Sequence, residues 1–338
     1  MHLASIFHFS ASLLLCLTTS NAFPYLRNEA THRLSGSLIP RNSNTDSNSL
    51  LRNSLSTMRE IPTTKKYYFL SDNELDSMKP LVKLASIGYC QDFRNGFNCG
   101  RYCSDFQHFE LNTYFHTNKY GVNGYVARDT VGKVIVVGFG GTMSLKNWIE
   151  NLKLLRVDMP GTEDSQVHLG FWESYLEARP LVLEAVSSLL QQHPDHSILI
   201  TGHSRGGAIA SLCAMDLRAS QSIPQEVSLA TFGEPRLGDA NFANHFDRLG
   251  ILSKTFINKR DPVPHVPTLL SGWRRHGVEV WIREDEQAVQ CLMNEDPNCS
   301  NSETFFNISD HNAYFNVGFG CSVGAESFEL NDLIQTIL

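Results

Sequence analysis

The sequence predicts an α/β fold with a largely parallel central sheet, and three observations carry that expectation. Lys133-Val134-Ile135-Val136-Val137-Gly138-Phe139 is a continuous apolar, β-branched run, the pattern of a strand buried on both faces. Ser197 to Thr201 is a second apolar run, and it leads through Gly202-His203-Ser204-Arg205-Gly206 into a helical stretch, Ala208 to Met215. Further strand-like segments at Val227–Phe232, Ser253–Asn258 and Val278–Ile282 alternate with helical patterns at Phe171–Gln191 (interrupted by Pro180) and Asn241–Leu249.

The chain has 338 residues, enough for one large domain or two small ones, and neither an internal repeat nor a second domain is evident. The net charge of −7 and the lack of a Lys/Arg-rich patch argue against a nucleic-acid partner. No stable protein partner is implied either. Residues 1–22 read as a signal peptide: Ile6 to Leu17 is mostly apolar, and Ser20-Asn21-Ala22 is a small-x-small cleavage site. Secretion is therefore expected. Residues 23–66, rich in Ser, Asn, Thr and Arg, read as a poorly ordered pro-segment, with Lys65-Lys66 a candidate dibasic processing site. The catalytic domain is then 67–338. It opens with helical spacing over Asp72–Tyr89, then strand-like Phe106–Phe115 and Gly124–Arg128.

Seven cysteines follow the signal region, an odd number that suggests three disulfides and one free thiol, with Cys213 the expected free one. There is no Cys-x-x-Cys and no His pair at ligand spacing near them, so neither a metal nor a cofactor is expected. Asn298-Cys299-Ser300 and Asn307-Ile308-Ser309 are glycosylation sequons.

The chemistry starts at Gly202-His203-Ser204-Arg205-Gly206, a Gly-x-Ser-x-Gly between a strand and a helix. This is the setting of a nucleophile elbow, which presents a serine Oγ at a sharp turn. A serine hydroxyl needs a base, and the base needs a carboxylate. In α/β-hydrolases these follow in the order Ser, acid, His, so four histidines remain: His245, His265, His276 and His311. Asp261 lies just past the apolar strand ending at Asn258, whereas Asp239 and Asp247 belong to a helical stretch. After Asp261, spacing leaves both His276 and His311 open as the base. Two oxyanion donors are needed. The backbone N–H of Arg205 is one, and Thr142, following Gly140-Gly141, offers the other. Leu145, Trp148, Ile149 and Leu152 then fall at i, i+3, i+4 and i+7, a short amphipathic helix placed to act as a lid.

Gly202-His203-Ser204-Arg205-Gly206-Gly207-Ala208, Ser144 to Leu152, Val167 to Phe171, Arg260 to Pro267 and Asp310 to Phe315 together resemble the secreted filamentous-fungal triacylglycerol lipases, the Rhizomucor/Thermomyces type of class 3 lipase. The resemblance runs from about Tyr67 to Cys321. It implies an α/β-hydrolase fold with a short helical lid and a triad of Ser204, Asp261 and His311, which decides between His311 and His276. It also implies an oxyanion hole at Thr142 and Arg205, with Trp148 on the lid. The implied disulfides are Cys90–Cys321, Cys99–Cys103 and Cys291–Cys299. The first would tie the two ends of the domain together, worth roughly 4–5 kcal/mol on the chain-entropy model. Two departures stand out. Arg205 replaces the usual Leu and places a charge beside the site, and Gly140 stands where some relatives carry a lid-hinge Arg.

The expected function is hydrolysis of long-chain acylglycerols at a lipid–water interface. The alternatives are a feruloyl-type or soluble esterase, a phospholipase, or a non-catalytic secreted lipid-binding protein.

Overall fold

The computed structural model describes residues 50–59, 67–93, 96–142, 154–162, 164–219, 223–291 and 293–321. The signal region, the Lys65-Lys66 site and the lid residues Leu145, Trp148, Ile149 and Leu152 lie outside the described residues. Among the described residues no helix is long and apolar enough to cross a membrane.

The strands run β1 (Tyr67–Phe69), β2 (Phe109–His116), β3 (Asn123–Asp129), β4 (Val134–Phe139), β5 (Arg156–Asp158), β6 (Gln166–His168), β7 (Ser197–His203), β8 (Val227–Phe232), β9 (Leu252–Asn258), β10 (Val278–Ile282), β11 (Ala288–Cys291), β12 (Ala313–Tyr314) and β13 (Val317–Gly318). The main sheet has the order β1-β11-β10-β9-β8-β7-β4-β3-β2. Its centre, β4-β7-β8-β9-β10, is parallel, as the β-branched runs require. Antiparallel pairs extend it on both sides: β3 and β2 beyond β4, and β11 and β1 beyond β10. The β11–β1 edge has no counterpart in the sequence expectation, because three- and four-residue strands carry too little periodicity to register.

The helices are α1 (Leu50–Arg59), α2 (Asp72–Ile87), α3 (Leu169–Gln192), α4 (Arg205–Ala219) and α5 (Ala240–Arg248). Helix α2 starts with a reciprocal cap between Ser71 and Glu74. Its apolar side meets Val134, Val136, Leu199, Ala230, Phe256 and Val280, alternate residues that share one face of the sheet. The intervening residues, such as Ile135, Val137, Ile198 and Ile200, are fully buried on the other face, where α4 packs. Pro180 does not interrupt α3. It sits on the exposed side of the helix beside Leu176, so the carbonyl it leaves unpaired is on the solvent side.

Part of the stretch expected to be poorly ordered is helical. Helix α1 buries Leu51, Leu55 and Met58 in the same core as α2. It is also fixed by polar contacts: Lys254 Nζ donates to the Thr57 carbonyl at 3.0 Å, and Arg59 pairs with Glu226 at 2.5 Å. Lys254 belongs to the N-terminal half of β9, so α1 docks toward the end of the sheet opposite the carboxyl ends. Its three apolar anchors lie in an otherwise polar stretch, and composition averaged over that stretch hides them.

All three disulfides implied by the resemblance are present, and Cys213 is free and buried in α4. Burial pushes the Cys213 thiol well up, so it behaves as a small apolar group.

Candidate active site

β7 ends at His203 and α4 begins at Arg205, with Ser204 between them at φ 58°. A non-glycine residue in this left-handed region is strained, and the surrounding hydrogen bonds hold it there. Ser204 N donates to the Phe232 carbonyl at 2.9 Å, and the Ser204 carbonyl accepts from Gly207 N at 2.9 Å. The turn needs close backbone packing. A Cβ at Gly206 would lie 2.5 Å from the Phe139 carbonyl, and one at Gly140 would lie 2.5 Å from the Gly88 carbonyl. These glycines bring the start of α4, the loop after β4 and the end of α2 together, which sets the half-buried Thr142 on the loop beside the elbow.

The loop after β9 supplies the carboxylate. Asp261 is fully buried and accepts from His311 Nδ1 at 2.8 Å, from Tyr314 Oη at 2.6 Å and from Val263 N at 2.8 Å. Burial, reinforced by the Asp261 charge, pushes the Tyr314 phenol well up, so it remains a donor. His311 is the last residue of a short 3-10 turn, Ile308–His311, which is clamped to the end of β9: Asn258 Nδ2 donates to the carbonyls of Asp310 and Ala313 at 3.0 and 2.9 Å. Ser204 and His311 are each 1% exposed, and Ser204 Oγ and His311 Nε2 are both buried without a hydrogen-bond partner. Buried hydroxyl and imidazole atoms are seldom left unpaired in a finished core. Ser204 Oγ and His311 Nε2 are two of nine such side-chain atoms among the described residues, and they are the two that acyl transfer would use.

The rival residues are engaged elsewhere. His276 Nε2 faces Glu234 Oε1 at 3.1 Å, and Glu234 also accepts from Ser211 and Thr231 at 2.6 Å. His265 packs on Phe306, and burial, aided by the charges of Arg275 and Arg236, pushes its imidazole down to about 3. Asp239 caps α5 by accepting from Phe242 N, and Asp247 accepts from Gly277 N. The loop carrying Asp261 is held by two buried arginines. Arg236 donates to the carbonyls of His265 and Pro267, and Arg275 to that of Pro264. Both pair with Glu295. Burial alone would raise the Glu295 carboxyl, but the Arg236 hydrogen bond and the Arg275 charge outweigh it and hold it down at about 2.

The Arg205 side chain does not project into the site as an unpaired charge. Its guanidinium donates to the Tyr120 carbonyl at 2.5 Å and to Ser174 Oγ at 3.2 Å, reaching toward the β2–β3 turn and α3. Burial lowers its pKa, and the nearby Glu177 charge opposes that. The sequons Asn298 and Asn307 are both exposed.

Gly233 is a site residue that sequence reasoning missed. It sits at φ 58°, and a Cβ there would lie 2.7 Å from the His311 ring and 2.8 Å from Asp261 Oδ2. Gly233→Ala is therefore expected to push the imidazole off Asp261 and lower kcat on a soluble ester by about 100-fold. Steady-state kinetics, with melting monitored alongside, checks this. The sequence signal was present, in that a glycine directly follows β8 at the carboxyl end of the sheet, but its purpose depends on what lies above it.

A doubly wound, mainly parallel sheet with a strained serine between strand and helix, and a carboxylate-held histidine beside it, defines an α/β-hydrolase. The class 3 lipase family model matches residues 136–271. The chain is 33% identical over 258 residues to a lipase of Rhizomucor miehei, covering 74% of this chain and 71% of that protein. It is 30% identical over 275 residues to the secreted mono- and diacylglycerol lipase 2 of Gibberella zeae, covering 66% and 67%. A solved triacylglycerol lipase whose catalytic centre is described as a serine-protease triad superposes with a TM-score of 0.71 at 31% identity, covering 76% of this chain and all of that one. The chain belongs to the class 3 lipase family and is a lipase.

Proposed function

We propose that this lipase is secreted and hydrolyses long-chain acylglycerols at a lipid–water interface through Ser204, His311 and Asp261. Ser204 Oγ attacks the ester carbonyl while His311 Nε2 takes its proton. The backbone N–H groups of Arg205 and Thr142 stabilise the oxyanion. His311 then returns the proton to the departing alcohol, leaving an acyl-enzyme. Water, deprotonated by His311, releases the fatty acid. Asp261 holds His311 in the tautomer whose Nε2 can accept.

The observation that supports this reading best is the 2.8 Å Asp261–His311 pair, with His311 Nε2 and Ser204 Oγ both buried and without hydrogen-bond partners. The triad described for the related triacylglycerol lipase supports it further. Secretion rests on the apolar N-terminal stretch, the three disulfides and the secreted Gibberella zeae relative. The stripe of Leu145, Trp148, Ile149 and Leu152 directly after Thr142 supports a lid that exposes an apolar face to lipid. With its guanidinium committed to Tyr120 and Ser174, Arg205 gives no support to a phospholipase reading. Asn298 and Asn307 are the expected glycan acceptors.

The test compares an emulsified long-chain triglyceride with a soluble short-chain ester, across the solubility limit. A jump in rate when the interface appears is expected. Ordinary saturation on the soluble ester, with nothing gained at the interface, would make the enzyme an esterase.

A further inference from the structure

His203, directly before the serine, is buried and takes no part in the mechanism above. Its Nε2 lies 2.9 Å from the His311 backbone carbonyl, and its Nδ1 lies 2.6 Å from Tyr89 Oη. A carbonyl only accepts, so Nε2 must carry the hydrogen and Nδ1 must accept from the Tyr89 hydroxyl. Burial, with His311 close by, pushes the imidazole well below its usual range and keeps it neutral, as this arrangement requires. The backbone of Gly141, next to Thr142, packs against the Tyr89 hydroxyl. A Cβ at Gly141 would fall 2.2 Å from that oxygen, so the loop lies directly on the phenol.

These contacts form one continuous path: Gly141 packed on the Tyr89 hydroxyl, Tyr89 O–H donating to His203 Nδ1, and His203 Nε2–H donating to the His311 carbonyl. It joins the loop carrying Thr142 to the backbone of the base and passes through the residue that precedes Ser204. Covalent and packing contacts close it. Phe319 stacks on the His203 ring at 3.6 Å and 8°, and the Cys90–Cys321 disulfide lies next to Tyr89 and two residues beyond Phe319.

We infer that Tyr89 and His203 are positioning residues that fix the oxyanion loop and the base relative to each other. This rests on the triad and oxyanion assignments above. Asp261 fixes the imidazole ring of His311, and His203 fixes its backbone, so the base is held at two points. Errors in that geometry are felt in the chemical step more than in substrate binding.

Tyr89→Phe removes one oxygen and leaves the apolar packing intact. On a soluble ester it is expected to lower kcat about tenfold with KM within about twofold, and to slow phosphonylation by a tetrahedral phosphonate in parallel, at temperatures well below melting. His203→Gln keeps an acceptor and a donor on one planar group, and is expected to retain about tenfold more activity than His203→Leu. A kcat for Tyr89→Phe within about twofold of wild type, a loss wholly in KM, or equal impairment of folded His203→Gln and His203→Leu would overturn the inference. Ser204→Ala is run beside them. If it keeps its activity, the triad reading itself fails, whatever Tyr89→Phe does.

Discussion

Ser204→Ala is expected to lower kcat on a soluble ester about a millionfold, the scale seen when a triad nucleophile is removed. The loss follows from how the serine is held. At φ 58°, with its N–H on Phe232 and its carbonyl on Gly207, its Cβ direction is fixed. Water cannot substitute, because it lacks that placement and must be activated by a base aligned for the serine. The protein should remain folded: the removed Oγ makes no hydrogen bond, so its loss leaves no partner unsatisfied. Soluble-ester kinetics and a melting curve on the same preparation check both halves.

Asp261→Asn is expected to cost about 10,000-fold in kcat at neutral pH with the geometry nearly unchanged. The carboxylate accepts from three donors, and Oδ2 takes both His311 Nδ1 and Tyr314 Oη. In the amide, Oδ1 can still accept from Val263, but the NH2 then faces those two groups. His311 Nδ1 must become the acceptor and Nε2 the donor, which is the wrong tautomer for taking the serine proton. Restored rates at high pH would signal a different role for Asp261. An equal loss in Asp261→Ala and Asp261→Asn would point to the carboxylate charge, with tautomer control secondary.

Much of this was legible in the residues. The parallel centre followed from β-branched runs at β4 and β7, since only strands covered on both faces tolerate them. The elbow was evident from its glycines between strand and helix, and Asp261 from its place after β9. His311 was not separable from His276 by spacing. The difference is tertiary, because His276 is bound to Glu234, a carboxylate that local sequence does not single out. The disulfide pairing came from family resemblance, as parity gives a number of bridges and not their partners. Helix α1 was hidden by its polar surroundings, and β1 and β11 by their length. The direction of Arg205 was misjudged for a further reason. A charge beside a serine suggests a ligand contact, but the chain offers a half-buried carbonyl at Tyr120, 85 positions earlier in sequence. Tyr89, His203 and Gly233 escaped notice because their value lies in contacts between segments far apart in the chain.

The central claim is that Ser204 is the nucleophile, activated by His311 and Asp261. The most direct measurement is to inactivate the full chain with a reactive alkyl phosphonate ester and locate the adduct by peptide mass spectrometry. One phosphonyl group per chain on Ser204 is expected, with labelling lost in Ser204→Ala and strongly slowed in Asp261→Asn. Stoichiometric inactivation with the label on any other residue, or undiminished inactivation of Ser204→Ala, would contradict it.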